Sequence, residues 1–297
     1  MTQKKFGVFG YPVQHSLSPV MQNAALQEKG MAALYQAYEV APGDLKNAIR
    51  AAQKEGFLGI NLTIPHKEKA LEFDFIQPDP FAKKVGAANT LLISPKMIEA
   101  FNTDAQGALS ALEYEGIETK DKKILVIGAG GASRAVSFLF GERGNALKII
   151  NRTAEKAENL AAEIAKKTGG KKITGGGFQT AWEDVKEADI VIQTTELGMG
   201  KYENVSVFDQ WGLPKSEADG IRTKEECLQH YLRKETIFFD IVYRPKETKF
   251  LKEARLSGCQ TINGVMMLVF QGAFAFEIWT GEKPNIDVMK KAVLSGL

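Results

Sequence analysis

The chain has little of what marks a metalloprotein, a secreted disulfide scaffold or a nucleic-acid binder. Of its 297 residues only Cys227 and Cys259 are cysteine, far apart in sequence, and three are histidine. That scarcity argues against a disulfide framework and a Cys/His zinc set, and predicts a cytoplasmic protein with no metal site. An excess of one charge is missing too. The 38 Lys and Arg against 36 Asp and Glu leave +2, with no basic run to follow a polyanion, so nucleic acid is not an expected partner. No apolar run reaches the ~20 residues of a membrane span. The most apolar segment, Gly264 to Trp279, carries Gln271 and Glu277 and reads as a buried helix. The opening "MTQKKFGVFGYPVQ" is broken by Gly7, Gly10 and Pro12 and lacks the core of a secretion signal. Repeats are absent, and low complexity is confined to the glycine-rich 168–177, read as a loop around a short strand.

What is present is alternation. Short apolar runs separated by helix-length amphipathic stretches are the pattern of parallel sheets with crossover helices, an α/β fold, and the length suits two domains. Strands are predicted at 6–10, 34–40, 58–63 and 90–94, with helices near 19–29, 44–55 and 65–71. A helix over 104–116 leads to a second series of strands at 122–128, 146–151, 189–193, 236–242 and 259–263, and the tail returns to helix. The expected domains are 1–104, 105–264 and a C-terminal helical segment, 265–297.

"VIGAGGASRAVSFLF" follows a strand and opens a helix. In that context Gly128 and Gly130 let the chain turn tightly against a pyrophosphate, whose charge the N–H groups of the next helix favour. Ser133 stands where a third glycine is usual; an ordinary strand-to-helix turn is the plainer alternative. At the end of the next strand, where an NAD-binding sheet places a carboxylate for the ribose, the chain has Asn151, Arg152 and Thr153. A guanidinium there suits a phosphate and points to NADP, although Arg152 also reads as a solvated side chain and Thr153 as a helix N-cap.

If the second domain holds a nicotinamide cofactor, the first is expected to hold the substrate. "GINLTIPHKEKA" puts Asn61, Thr63 and Lys67 at and just after a strand, and Asn89, Asn102, Thr103 and Asp104 fall at other element boundaries. Lysine and aspartate suit a carbonyl reduction, since an ammonium stabilises the developing alkoxide. The alternatives stand beside this: a solvated lysine, and Asp104 as the cap of the linking helix. "HSLSP", 15–19, has the form of a helix start, with Ser18 as cap and Pro19 at the first helical position. A helix N-terminus also attracts a carboxylate, so cap and ligand site are compatible.

These residues resemble the shikimate/quinate dehydrogenase family over nearly the whole chain and in the family's order. The matching stretches are "GYPVQHSLSPVMQN" (10–23), "NLTIPHK" (61–67), "GAANT" (86–90), "NTD" (102–104), "GAGGAS" (128–133), "NRT" (151–153), "DIVYRPKET" (240–248) and "MLVFQGAFAFEIWTG" (267–281). The resemblance implies a substrate domain, a Rossmann-type doubly wound NADP-binding domain, and last helices that return to the substrate domain. It implies that Lys67 is the catalytic acid/base, paired with Asp104. By the same resemblance Ser16 and Ser18 hold the substrate carboxylate, and Thr63, Asn89, Tyr243 and Gln271 its hydroxyl and carbonyl groups. The cofactor falls to Gly128, Ala129, Gly130, Gly131 and Ala132 for the pyrophosphate, Asn151, Arg152, Thr153 and Lys156 for the adenosine phosphate, and Gly264 and Met267 for the nicotinamide end. His15 and His66 are expected to be structural or peripheral.

The implied activity is reversible, NADPH-dependent reduction of 3-dehydroshikimate to shikimate, a step of aromatic amino-acid biosynthesis, by a monomer or homodimer. A relative acting on quinate and a non-catalytic NADP-binding regulator are the alternatives; Thr63 favours shikimate, and the Lys67 and Asp104 pair favours turnover. Three departures from the family pattern stand out. "QTTELGM" (193–199) replaces the usual Asn-Ala-Thr-Ser before Gly-Met and brings in Glu196, Ala100 and Phe101 precede "NTD" where glycine is common, and 201–235 is long. That long stretch is expected to be a solvated excursion.

Overall fold

The computed structural model of the chain describes residues 3–170, 172–214 and 221–297. They form two compact units, one of residues up to Ser110 with Met266–Leu297, the other of Ala111–Val265. Among the described residues each unit is built on a six-stranded sheet.

In the first unit, strand β1 (Lys4–Gly10) lies between β2 (Ala33–Glu39) and β3 (Phe57–Leu62), parallel to both. Its run from Phe6 to Gly10 is buried throughout, as expected of a central strand covered on both faces. Helices α1 (Ser18–Glu28) and α2 (Leu45–Lys54) make the crossovers, and α3 (His66–Lys69) follows β3. The sheet then departs from the expected parallel pattern. After β4 (Ile76–Pro78) and α4 (Pro80–Val85), strands β5 (Thr90–Ile93) and β6 (Ile98–Phe101) form a hairpin that joins β3 antiparallel, and β4 pairs with β6 at the edge. The hairpin has a physical use: it aims Asn89 and the residues after Phe101 at the end of the sheet where β3 also finishes. Helix α5 (Asp104–Tyr114) leads out of the unit.

The second sheet is parallel throughout. Strands β7 (Lys123–Ile127), β8 (Ala146–Ile150), β9 (Ile173–Gly176), β10 (Ile190–Gln193), β11 (Ile237–Asp240) and β12 (Gln260–Ile262) take the order β12-β11-β10-β7-β8-β9. The order reverses between β7 and β10, where doubly wound sheets open a crevice for a ligand. Helices α6 (Gly131–Glu142), α7 (Ala154–Thr168), α8 (Ala181–Glu187), α9 (Lys224–Tyr231) and α10 (Lys249–Leu256) flank it.

The expectation of a solvated excursion at 201–235 is overturned. Val207, Phe208, Trp211, Cys227, Leu228 and Tyr231 are buried in one core with Trp182, Phe238 and Phe250. Trp182 stacks on Phe208 and meets Trp211 edge-on. Lys224 clamps the same segment to α10 by pairing with both Asp209 and Glu253 at 2.6 Å. Residues 215–220 of that stretch lie outside the described residues.

The chain ends on helices α11 (Val265–Thr280) and α12 (Ile286–Gly296). The apolar α11 belongs to the first unit's core: Trp279 Nε1 donates to Leu91 O at 2.9 Å, and its ring packs against Phe6 and Tyr35. Gly59 has no room for a Cβ because the Trp279 indole occupies that space. No helix among the described residues is long and apolar enough to cross a membrane.

Candidate active site

In the first unit a polar cluster forms where β3 and β6 end and β5 begins. Lys67, on the short α3, donates from Nζ to Asp104 Oδ2 at 2.6 Å; the two side chains are 16% and 7% exposed. Two backbone bonds hold the surroundings of this pair in place, Ala88 N to Lys67 O at 2.8 Å and Asn89 N to Phe101 O at 3.0 Å. Asn89 is the organiser. Its Nδ2 donates to Thr103 Oγ1, Asp104 Oδ1 and Gln271 Oε1 at 2.9, 2.8 and 3.3 Å, while its Oδ1 accepts from Thr103 N at 2.8 Å. Asp104 therefore receives one charged and one neutral donor on different oxygens, which fixes the carboxylate plane and with it the ammonium. Asn102 completes the frame, accepting from Asp104 N and donating to Ala87 O. Gln271 reaches the cluster because α11 runs hard against α5: a Cβ on Gly107 would come within 2.8 Å of Gln271 Cβ.

Thr63 directly follows β3, and the two serines lie in the turn and first helical position that follow the neighbouring β1. Thr63 N donates to Phe9 O and Tyr11 N to Ile64 O, so the end of β3 lies beside the start of the turn that carries Ser16 and Ser18. The Thr63 methyl fills the space a Cβ on Gly10 would need. The expected cap is displaced: Leu17 is the N-cap of α1, Ser18 is already helical, and Pro19 occupies the second position. The bond at the helix start is made instead by Ser16 Oγ, which accepts from Ser18 N at 3.3 Å. Among the described residues no hydrogen bond joins either serine to the lysine-centred cluster.

His66 is buried and its Nε2–H donates to Val40 O at 2.8 Å. Burial pulls its imidazole below the usual range despite that bond. His15 is exposed.

In the second unit the glycine loop between β7 and α6 has the features a pyrophosphate needs. Gly128 has φ +117°, and a Cβ there would meet Thr194 Oγ1 at 2.5 Å. Gly130, the N-cap of α6, is exposed, has nothing within 4 Å of a Cβ position, and no side chain takes the helix N–H groups. Gly131 and Ala132 begin the helix and Ala129 is half-buried. Ser133 explains its own departure from glycine: it is fully buried and donates to Gly128 O at 2.7 Å, bracing the turn from within. At the end of β8, Arg152, Thr153 and Lys156 are exposed, and Asn151 Nδ2 donates to Thr153 O at 3.1 Å. Thr153 is the N-cap of α7 with no side-chain cap bond, so two cations and a hydroxyl face solvent at a helix N-terminus. These residues fit a dinucleotide carrying an extra phosphate.

Tyr243, half-buried, follows β11, and Gly264 follows β12. Gly264 has a packing reason to be glycine, since a Cβ would strike Ile241 O. Met267 lies buried in the first turn of α11. Of the departures noted in the sequence, Gln193 is fully buried at the end of β10, where its side chain accepts from Thr195 N and donates to Leu197 O; Glu196 is exposed.

Comparison with known proteins agrees with this arrangement. Residues 8–91 match the family model for the shikimate dehydrogenase substrate binding domain, 110–199 that for shikimate / quinate 5-dehydrogenase, and 264–294 that for the shikimate 5'-dehydrogenase C-terminal domain. The NADP(+) shikimate dehydrogenase of Methanosarcina mazei is 47% identical over 98% of both chains. A crystal structure of a shikimate dehydrogenase in complex with NADP+ superposes with a TM-score of 0.86 at 41% identity, covering 99% of this chain and 95% of the other. The shikimate 5-dehydrogenase of Thermus thermophilus, solved with NADP(H) and shikimate, does so at 0.79 and 34% identity, covering 99% and 100%. Fold and site thus define a two-unit α/β protein in which a Rossmann-type nucleotide-binding unit accompanies a sheet bearing a lysine–aspartate pair. The chain belongs to the shikimate dehydrogenase family.

Proposed function

We propose that the chain is an NADP-dependent shikimate dehydrogenase, catalysing the reversible reduction of 3-dehydroshikimate to shikimate. The observation that carries this reading is the 2.6 Å contact between Lys67 Nζ and Asp104 Oδ2, set in a cluster of neutral amides and hydroxyls at the end of a sheet. Bound NADPH supplies the hydride for the carbonyl carbon. Lys67 stabilises the negative charge developing on the carbonyl oxygen and delivers a proton to it; Asp104 keeps the ammonium in place. In the opposite direction Lys67 takes the proton from the substrate hydroxyl. Ser16 and Ser18 bind the substrate carboxylate, and Thr63, Asn89, Tyr243 and Gln271 its oxygen substituents. Gly128 to Ala132 cradle the pyrophosphate, Asn151 to Thr153 and Lys156 the adenosine phosphate, and Gly264 and Met267 the nicotinamide end. The protein works in the cytoplasm on small molecules, as a monomer or homodimer.

The test is turnover of the purified protein with shikimate or quinate and with NADP or NAD, read as reduced cofactor. Shikimate with NADP is expected to be the best pair, and Lys67→Ala to lower kcat by roughly 10²-fold or more while shikimate still binds. Absence of turnover with every pair defeats the reading, and faster turnover of quinate transfers it to that substrate.

A further inference from the structure

Asp240 is the last residue of β11 and is fully buried. Among the described residues it has no ion-pair partner, an expensive arrangement for a carboxyl group, which must then be held by hydrogen bonds alone. Three donors hold it. Val242 N reaches Oδ1 at 2.9 Å, Gln193 Nε2 reaches the same oxygen at 3.2 Å, and Thr248 Oγ1 reaches Oδ2 at 2.7 Å. Burial pushes the group up to about 7 against the pull of these bonds.

Each donor anchors a different segment leaving the carboxyl end of the sheet, the end at which open α/β sheets hold ligands. Val242 leads directly to Tyr243. Gln193 opens the segment 194–199, whose path it also sets through Leu197 O at 2.9 Å, and Thr194 of that segment closes over Gly128 of the phosphate loop. Thr248 caps α10 through Leu251 N. A fourth segment depends on the same turn, because Gly264 lies against Ile241 O with no space between them. The sheet alone does not account for this convergence: the β10 to β11 ladder is already complete at the Gln193 and Asp240 pair.

We infer that Asp240 is a positioning residue, which sets the turn carrying Tyr243 and the segment following Gln193 without touching substrate or cofactor itself. The inference rests on the reading of Tyr243 as a substrate contact. Asp240 then acts on substrate affinity through the tyrosine, beyond any contribution to folding.

The experiment is a double-mutant cycle on the full-length protein, with KM for shikimate, kcat and Tm measured for wild type, Asp240→Ala, Tyr243→Phe and the double variant. Asp240→Ala is expected to raise KM by about tenfold, the scale of one lost buried hydrogen bond to a charged group, with a smaller change in kcat. In the Tyr243→Phe background the same substitution is expected to raise KM by less than about threefold, since its target is gone. Asp240→Asn retains an acceptor for Val242 N and Gln193 and is expected to restore KM to within about threefold of wild type. A merely structural aspartate gives the same factor in both backgrounds and a fall in Tm unrelated to KM, and that result overturns the inference. Where Asp240→Ala is not recovered folded, Thr248→Val removes one donor at nearly constant volume and enters the same cycle under the same criterion. Wild type without shikimate turnover removes the proposed function and this inference together; active wild type without coupling removes this inference alone.

Discussion

The Ser16 hydroxyl accepts one long bond, 3.3 Å, from Ser18 N, and Ser18 is 7% exposed within the first turn of α1. A cap of this length is worth at most about 1 kcal/mol, which for a chain of this size lowers Tm by only about 2–4 °C. If the two hydroxyls bind the substrate carboxylate as proposed, they contribute far more there, because charge-assisted bonds are the strong ones and a helix N-terminus favours the anion. Replacing both serines by alanine is therefore expected to raise KM for shikimate about tenfold or more while Tm falls by no more than those few degrees. Steady-state kinetics beside thermal melts decide it, and a large loss of Tm with unchanged KM reduces the pair to a cap. The sequence shows a serine-proline helix start but not which serine serves it, since the difference of one residue depends on the backbone turn from Val13 to Ser16. The Lys67 and Asp104 pair is 37 residues apart in sequence, and no local period announces it. The match to a family's ordered motifs suggests it, and Asn89, buried and bonded to both Thr103 and Asp104, supplies the physical reason they meet. Asp240 and Thr248 likewise fall inside a matching stretch, "DIVYRPKET", but nothing in the spacing shows that they meet each other and Gln193, because an aspartate after "IFF" reads as an ordinary strand end.

Elements with strong apolar runs are legible. "ILVI", "IVI" and "IFF" lie inside β7, β10 and β11, and a continuous apolar run suits a strand covered on both faces. The three-residue β4 and the four-residue β6 escape notice, since "IQP" contains a proline and "IEAF" alternates over too few residues to show a period. The hairpin of β5 and β6, and with it the antiparallel half of the first sheet, is lost with them. The 201–235 stretch is misread for a related reason. Its buried residues are split between one short 3-10 turn with the tryptophan after it and one eight-residue helix, so no single spacing reveals a face, and its many charges suggest solvent. Those charges hold it down. Asp209 pairs with Lys224 at 2.6 Å and Lys249 at 2.8 Å; burial alone raises its carboxyl, but the hydrogen bonds from both lysines outweigh that and hold it at about 2. A carboxyl depressed in the folded state stabilises above its unfolded value of ~3.9 and loses that contribution as pH falls toward the folded value. Asp209→Asn is accordingly expected to cost about 1–2 kcal/mol at pH ~6, after allowance for its partial exposure, with the gap to wild type closing as pH drops below ~4. Urea melts across that range measure the gap, and a constant difference at every pH removes the ion-pair account.

At the scale of the whole molecule the chain leaves the first unit within α5 and re-enters it at Met266. The first sheet is complete by Phe101, but the packing and polar cluster of that unit are completed only when the last residues are in place: Gln22 Nε2 donates to Gly272 O at 2.9 Å, and Gln271 joins the Asn89 cluster. The nucleotide-binding unit needs no such return, since Ala111–Val265 is continuous and carries the glycine loop, Arg152 and Lys156. Thermal stability is then a direct reading of which cofactor this unit prefers, because a ligand bound only by the native state stabilises it by RT ln(1 + [L]/Kd). NADP at about 100 times its Kd is expected to contribute about 2.7 kcal/mol, a Tm rise of about 5–10 °C in the transition it affects. NAD at the same concentration is expected to give a smaller rise if, as proposed, Arg152, Thr153 and Lys156 bind the 2′-phosphate that NAD lacks. Arg152→Ala separates the causes. If the guanidinium pairs with that phosphate, the variant loses most of the difference between the two cofactors while its response to NAD stays within error of wild type. An equal loss for both assigns Arg152 to the fold of the β8 to α7 turn, and an unchanged NADP response leaves the extra phosphate to Lys156 and the α7 N-terminus.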